Sequence, residues 1–329
     1  MSVARSRTRR ASHSARSAGC GRVKAGIRDM SKLSVGRISS VDYNARMMTT
    51  PPLYDFGGDG SVLHLAVANG FPPSVYQPLL KPFTARYHVV SLPPRALWPQ
   101  VGLPPEQPGS WEELADDILH GLDAYDLHDV IGVGHSFGAV ATLFAALKQP
   151  ERFKALILLD PTILPRFVTE AIKAARAEGQ VPRIPLVDGA LKRRNQFADL
   201  AEAYAYWRDK PLFRDWTDEA VRLYAESLTR PVSDGLELTW PREWEAYYYL
   251  SIDADVWEKL PALRGLLPTL IVQGGSTDTY VEESAAEVQT ILPEATHIML
   301  PGYGHLFPLA APDATRQIIE VWIGSAAPG

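Results

Sequence analysis

Cysteine is nearly absent from this chain: Cys20 is the only one in 329 residues. No intrachain disulfide can form, so the fold must rest on core packing, as suits a reducing compartment. Long apolar runs are missing too. None approaches the ~20 residues needed to cross a bilayer, and the expectation is a cytoplasmic protein without a membrane span. There is no HExxH and no Cys/His-rich spacing, so a metal hydrolase is not expected. An apolar h-region is also lacking in the N-terminal stretch, so no secretory signal is expected there.

Acidic residues are scarce in one place only. Residues 1–49 hold 11 Lys/Arg against Asp29 and Asp42, a balance of +9, which leaves −14 for the remainder. This Arg/Ser-rich stretch has no apolar periodicity and reads as disordered. A transit peptide, which would make the location organellar, and a basic arm for a polyanion both suit its composition. The reading preferred here is a later translation start at Met30, Met47 or Met48. An acidic body gives no reason to expect nucleic-acid binding.

From Val62 onward the sequence alternates strands and helices. Strand-like runs fall at 62–70, 87–92, 130–133, 154–160, 268–273 and 295–301. Helical patterns fall at 74–85, from Ser110 to about Tyr125, after Phe137, and at 313–324. Ser110 with Glu113 three residues on has the form of a capping box. Such alternation implies a mostly parallel sheet covered on both faces. The stretch 161–263 interrupts it with helical spacing and many aromatics, and reads as an inserted helical cap. The expected core is then 50–160 plus 264–329. Most cap aromatics should form the cap's own core, and a minority should face a pocket beneath.

The run Val130-Ile131-Gly132-Val133 leads directly into Gly134-His135-Ser136-Phe137-Gly138 and then an Ala/Leu/Phe-rich helix. G-x-S-x-G between a strand and a helix is the nucleophile elbow. Ser136 must sit on a strained turn that lifts its hydroxyl clear of the sheet, and Gly134 and Gly138 must lack side chains so that strand and helix can close around it.

A serine hydroxyl needs an adjacent base to act as a nucleophile at neutral pH. In this type of fold the order is Ser, acid, His. His305 follows the 295–301 strand in Gly302-Tyr303-Gly304-His305. Asp278 follows the 268–273 strand in Gly274-Gly275-Ser276-Thr277-Asp278 and is preferred as the acid over Asp160, which ends the strand after the elbow. Strand ends are where open α/β sheets place their sites. The expected oxyanion donors are the backbone N–H of Phe137, after the nucleophile, and of Phe71, in the loop after the first parallel strand. The remaining histidines read as structural or peripheral. His135 is one of them, since adjacent side chains at a turn point apart.

GHSFG, GGSTD and GYGH in this order resemble the α/β-hydrolase superfamily, specifically its capped AB-hydrolase-1 serine hydrolases, over residues 54–326. The resemblance implies an eight-stranded sheet, a cap after the sixth strand, and Ser136, Asp278 and His305 as the triad. Two departures stand out. The usual His-Gly of the oxyanion loop is Asn69-Gly70, and the usual acidic, Gly-rich loop after the next strand is Pro93-Pro94-Arg95-Ala96-Leu97-Trp98-Pro99. Dehalogenases and epoxide hydrolases use an Asp nucleophile, and Ser136 excludes them.

The expected activity is cofactor-free hydrolysis of a small-molecule carboxylic ester with a hydrophobic portion, through an acyl-enzyme, and a lactone or a bulky natural-product ester would fit as well as a simple one. Hydrolysis of a C–C bond, thioester or amide could use the same residues. A non-catalytic ligand receptor on the same fold is the alternative from another class.

Overall fold

Each of the apolar runs becomes a strand, and their order in space is set by where the crossover helices return the chain. The computed structural model describes residues 50–99 and 101–326, so the basic tail lies outside the described residues. Strands β1 (Tyr54–Gly57), β2 (Val62–Ala66), β3 (His88–Ser91), β4 (Val130–His135) and β5 (Phe153–Leu159) come first. Strands β6 (Gln196–Phe197), β7 (Thr229–Val232) and β8 (Gly235–Leu238) lie in the insertion, and β9 (Thr269–Gly274) and β10 (Thr296–Leu300) resume the sheet.

The main sheet runs β1-β3-β2-β4-β5-β9-β10. Every pairing in it is parallel except that of β1 with β3. At its centre all six residues of β4 are buried, as expected for a strand covered on both faces. Helix α1 (Glu112–Ala124) delivers the chain to β4, and α2 (Phe137–Lys148) leaves it with ten of its twelve residues buried. The described residues thus contribute seven strands to the sheet rather than eight, and the insertion follows the fifth of them in chain order rather than the sixth. The capping box also differs. The Ser110 hydroxyl accepts from the Glu112 N–H at 3.2 Å, while the Glu113 carboxylate faces Arg95 at 3.8 Å.

The insertion carries helices α3 (Arg166–Ala177), α4 (Pro185–Leu191), α5 (Leu200–Arg208), α6 (Asp218–Leu228) and α7 (Arg242–Leu250). It is not wholly helical, because β6, β8 and β7 form a small antiparallel sheet within it. The short strands pair only with one another, which is why they give little periodic signal in sequence. Side-chain caps begin two of its helices: Asp199 accepts from the Glu202 N–H at 2.8 Å and Thr217 from the Ala220 N–H at 3.1 Å.

Helix α7 fastens the insertion to the loop after β3 through its aromatic residues. Tyr247 Oη accepts from the Gly109 N–H at 3.1 Å and Tyr248 Oη from the Ala96 N–H at 3.2 Å. Trp244 Nε1 donates to the Gly102 carbonyl at 2.8 Å. These partners all belong to the Pro-rich loop after β3, whose backbone has no strand to pair with. The main sheet, its helices and the insertion share one hydrophobic cluster running from Phe56 to Ile323. After β9 and β10 come α8 (Glu282–Ile291) and α9 (Pro312–Ala326). Among the described residues no helix is long and apolar enough to cross a membrane.

Candidate active site

The turn between β4 and α2 fixes the first functional side chain. Ser136 has φ 61° and ψ −125°, a strained conformation for a residue with a Cβ. Both glycines of the motif are required by close approach. A Cβ on Gly134 would lie 2.4 Å from Ala139 Cα, and one on Gly138 would lie 2.4 Å from the carbonyl oxygens of both Ala66 and Val67. Backbone atoms cannot move aside, so these positions let the elbow pack against β2 and the start of α2.

His305 arrives from the loop after β10, with Nε2 2.9 Å from Ser136 Oγ. Its Nδ1 meets Asp160 Oδ2 at 2.6 Å. Asp160 directly follows β5, is fully buried and holds a positive φ of 43°. The structure therefore corrects the expected acid. Asp278 is exposed, and its Oδ1 accepts from Thr279 Oγ1 at 3.2 Å. The loop after β9 serves Asp160 instead. Gly274 N–H donates to Oδ1 at 2.7 Å, and Thr277 Oγ1 donates to Oδ2 at 2.5 Å. Because β5 and β9 are adjacent parallel strands, either could have presented a carboxylate to His305, and the sequence order Ser, acid, His holds for both.

The two expected oxyanion donors fare differently. Phe137 is the first residue of α2, so its N–H has no acceptor within the helix and sits at the positive end of the helix dipole. Phe71 lies where expected, but its N–H closes a turn on the Ala68 carbonyl at 3.2 Å, with Gly70 at φ 84°. That donor is engaged, through a bond at the long end of the ordinary range.

Aromatic residues of the insertion reach both residues. Phe71 packs on Tyr224 and Trp216 with ring centroids 5.3 and 6.3 Å away, and Phe137 packs on Tyr248 at 5.3 Å. The Asn69 that replaces the usual histidine donates from Nδ2 to the Glu245 carbonyl of α7 at 3.0 Å. Above Gly70 sits a mostly buried ion pair, Arg193 with Glu245, in which Arg193 also hydrogen-bonds Tyr224. Burial opposes the Arg193 charge, but Tyr224 and Glu245 outweigh it and its pKa is raised.

Several participants carried no sequence signal. Thr162, at the start of the insertion, places Oγ1 3.2 Å from Ser136 Oγ. Thr277 stands one residue before the aspartate the sequence favours. His135, read from sequence as structural, bonds to the His305 carbonyl at 3.0 Å. Among the described residues no group of three or more His, Cys, Asp or Glu is placed to hold a metal ion.

Fold and site together define an α/β protein whose mostly parallel sheet carries a hydrogen-bonded Ser–His–Asp series at a strained strand-to-helix turn. The chain belongs to the alpha/beta hydrolase family, whose profile matches residues 62–318. It is 25% identical over 295 residues to 2-(acetamidomethylene)succinate hydrolase of Mesorhizobium japonicum, covering 89% of this chain and 94% of that protein. It is 22% identical over 224 residues to esterase YbfF of Escherichia coli, covering 68% and 78%. The crystal structure of E-2-(acetamidomethylene)succinate hydrolase superposes with a TM-score of 0.66 at 22% identity, covering 83% of this chain and 94% of that one.

Proposed function

We propose that this protein is a serine hydrolase that cleaves a carboxylic ester through an acyl-enzyme. The observation that carries the reading is the unbroken series Ser136 Oγ–His305 Nε2 and His305 Nδ1–Asp160 Oδ2, at 2.9 and 2.6 Å, on a turn of positive φ. Ser136 attacks the carbonyl carbon while His305 Nε2 takes its proton. Asp160 keeps the Nδ1–H tautomer and stabilises the imidazolium. The oxyanion is met by the Phe137 N–H, and the Phe71 N–H joins by exchanging its turn bond for it. His305 then protonates the leaving group, and water, activated by the same imidazole, releases the acid and restores Ser136.

Residues 161–263 act as a cap over this site. The rings of Trp216, Tyr224 and Tyr248 against Phe71 and Phe137 favour a substrate with a hydrophobic portion. A second reading, cleavage of an amide-type C–N bond with the same residues, is favoured by near full-length similarity to a relative named for 2-(acetamidomethylene)succinate. A p-nitrophenyl ester chain-length series run beside matched anilides tests the two. Turnover of esters above the Ser136→Ala background, with anilides inert, is the expected result. Faster anilide turnover would move the reading to C–N cleavage.

A further inference from the structure

His135 precedes the nucleophile in sequence and is fully buried, but the chemistry of the triad makes no use of its ring. Its surroundings assign its hydrogen atoms. Tyr76 Oη accepts from the Ala68 N–H at 3.0 Å, so the phenol's single proton is directed to its other neighbour, His135 Nδ1, at 2.7 Å. Nδ1 is therefore an acceptor. His135 Nε2 then carries the hydrogen and donates it to the His305 carbonyl at 3.0 Å, because a carbonyl oxygen can only accept. Every polar atom of the chain Ala68–Tyr76–His135–His305 is satisfied when the imidazole is neutral.

The two ends of this chain are the two loops the reaction depends on. Ala68 opens the turn that holds Phe71, accepting from the Phe71 N–H at its carbonyl while Tyr76 holds its own N–H. At the other end, the bond to the His305 carbonyl fixes the backbone from which that imidazole reaches both Ser136 and Asp160. We propose that His135, together with Tyr76, is a positioning residue that ties the oxyanion loop to the loop of the general base. The proposal rests on the triad reading above.

Neutrality matters to this role, since the His135 and His305 rings lie 5.2 Å apart between centroids. During acylation His305 becomes an imidazolium, and a second cation beside it would oppose that step. The groups facing His135 are Tyr76 and His305. Burial, then the nearby His305 charge, holds its pKa well below the ordinary value. The ring therefore stays neutral through the cycle and acts as a fixed donor–acceptor spacer, with no proton transferred through it.

Tyr76→Phe removes one hydroxyl and is the mildest test. It is expected to lower kcat on a p-nitrophenyl ester ~10–100-fold with KM within about 3-fold. His135→Phe should do the same, and the double variant should be no worse than the poorer single variant, because both cut one chain. His135→Gln, whose amide N–H can reach the His305 carbonyl, should recover most of the loss. In the resting protein, the low-field NMR signal of the His305 Nδ1–H should shift or broaden in Tyr76→Phe, a readout that needs no substrate. Retained kcat together with an unmoved low-field signal in Tyr76→Phe overturns the proposal. So does a His135→Gln variant no better than His135→Phe. If the wild type fails to turn over any ester, the triad reading fails separately, and the NMR comparison still decides the coupling.

Discussion

Asp160 Oδ2 sits 2.6 Å from Nδ1 of His305, and Thr277 Oγ1 binds the same oxygen at 2.5 Å from the neighbouring strand's loop. The carboxylate is thus held by three donors, the third being the Gly274 N–H on Oδ1. Asp160→Asn should leave the fold intact and lower kcat by ~10³–10⁴-fold, because the imidazole loses its tautomer and its counter-charge. Asp278→Asn should stay within about 2-fold of wild type, as expected of an exposed side chain outside the site. Equal losses in the two variants would count against Asp160 as the acid. Steady-state kinetics on a p-nitrophenyl ester gives the comparison.

Thr277→Val removes the hydroxyl from Asp160 while keeping the shape. A hydrogen bond to a charged group contributes about 1.5–3 kcal/mol, so kcat/KM should fall by roughly 10–100-fold. The melting temperature should fall as well, because the same hydroxyl oxygen accepts from the Thr279 and Tyr280 N–H groups at 3.1 and 3.3 Å.

Gly138→Ala places a methyl against two carbonyl oxygens that belong to the backbone of the β2 segment and the residue after it. Overpacking of this kind costs about 1–3 kcal/mol, visible as a lower midpoint in urea. Gly189→Ala in α4 is the control, since a Cβ there meets nothing within 4 Å. It should stabilise by about 0.5–1 kcal/mol. Similar midpoints for the two variants would contradict the packing argument.

The Arg193–Glu245 pair above Gly70 has side chains only 12% exposed each. Removing one partner strands a buried charge, so Glu245→Gln should cost about 3–5 kcal/mol. The double variant Arg193→Met/Glu245→Leu should be markedly less destabilised than that single variant. Denaturant titration of the single and double variants checks this, and a double variant as unstable as the single one would show that the pair's charges are not what the site must balance.

Acid should destabilise the protein earlier than its carboxylates alone would. Burial drives His64 down to about 3 and His135 well below its usual value, so both stay neutral in the folded state while the unfolded chain takes up protons near pH 6.5. The unfolded state then binds more protons, and stability falls as pH drops below about 6.5, by at most about 1.4 kcal/mol per pH unit for each histidine. Asp117, raised by burial to about 6 against the pull of Arg95, has the opposite sign between roughly pH 4 and 6. Urea titrations from pH 8 to 5 should show the loss, and His64→Gln should flatten the slope.

Most of the fold was legible because its central strands are buried on both faces and its helices alternate with them. The runs around Val130–Val133 and Leu156–Leu159 announce themselves by composition. The elbow was equally plain, since the turn demands glycine at 134 and 138 and a strained residue at 136. The acid was misread for a physical reason. Asp160 and Asp278 both follow parallel strands and both lie between Ser136 and His305 in sequence, and only the register of β5 beside β9 decides which carboxylate the imidazole meets. GGSTD does belong to the site, through Gly274 and Thr277 rather than its aspartate. The pairing of β6 with β8, the Arg193–Glu245 pair and the Tyr76–His135 chain all join residues far apart in sequence, where no periodicity records them.

The most direct test of an activated Ser136 is the intact mass of the purified protein after treatment with a fluorophosphonate. The expected result is one added phosphonyl group per chain in the wild type, none in Ser136→Ala, and strongly slowed addition in Asp160→Asn. An unmodified wild type, or addition that persists in Ser136→Ala, would contradict the assignment of Ser136 as the nucleophile.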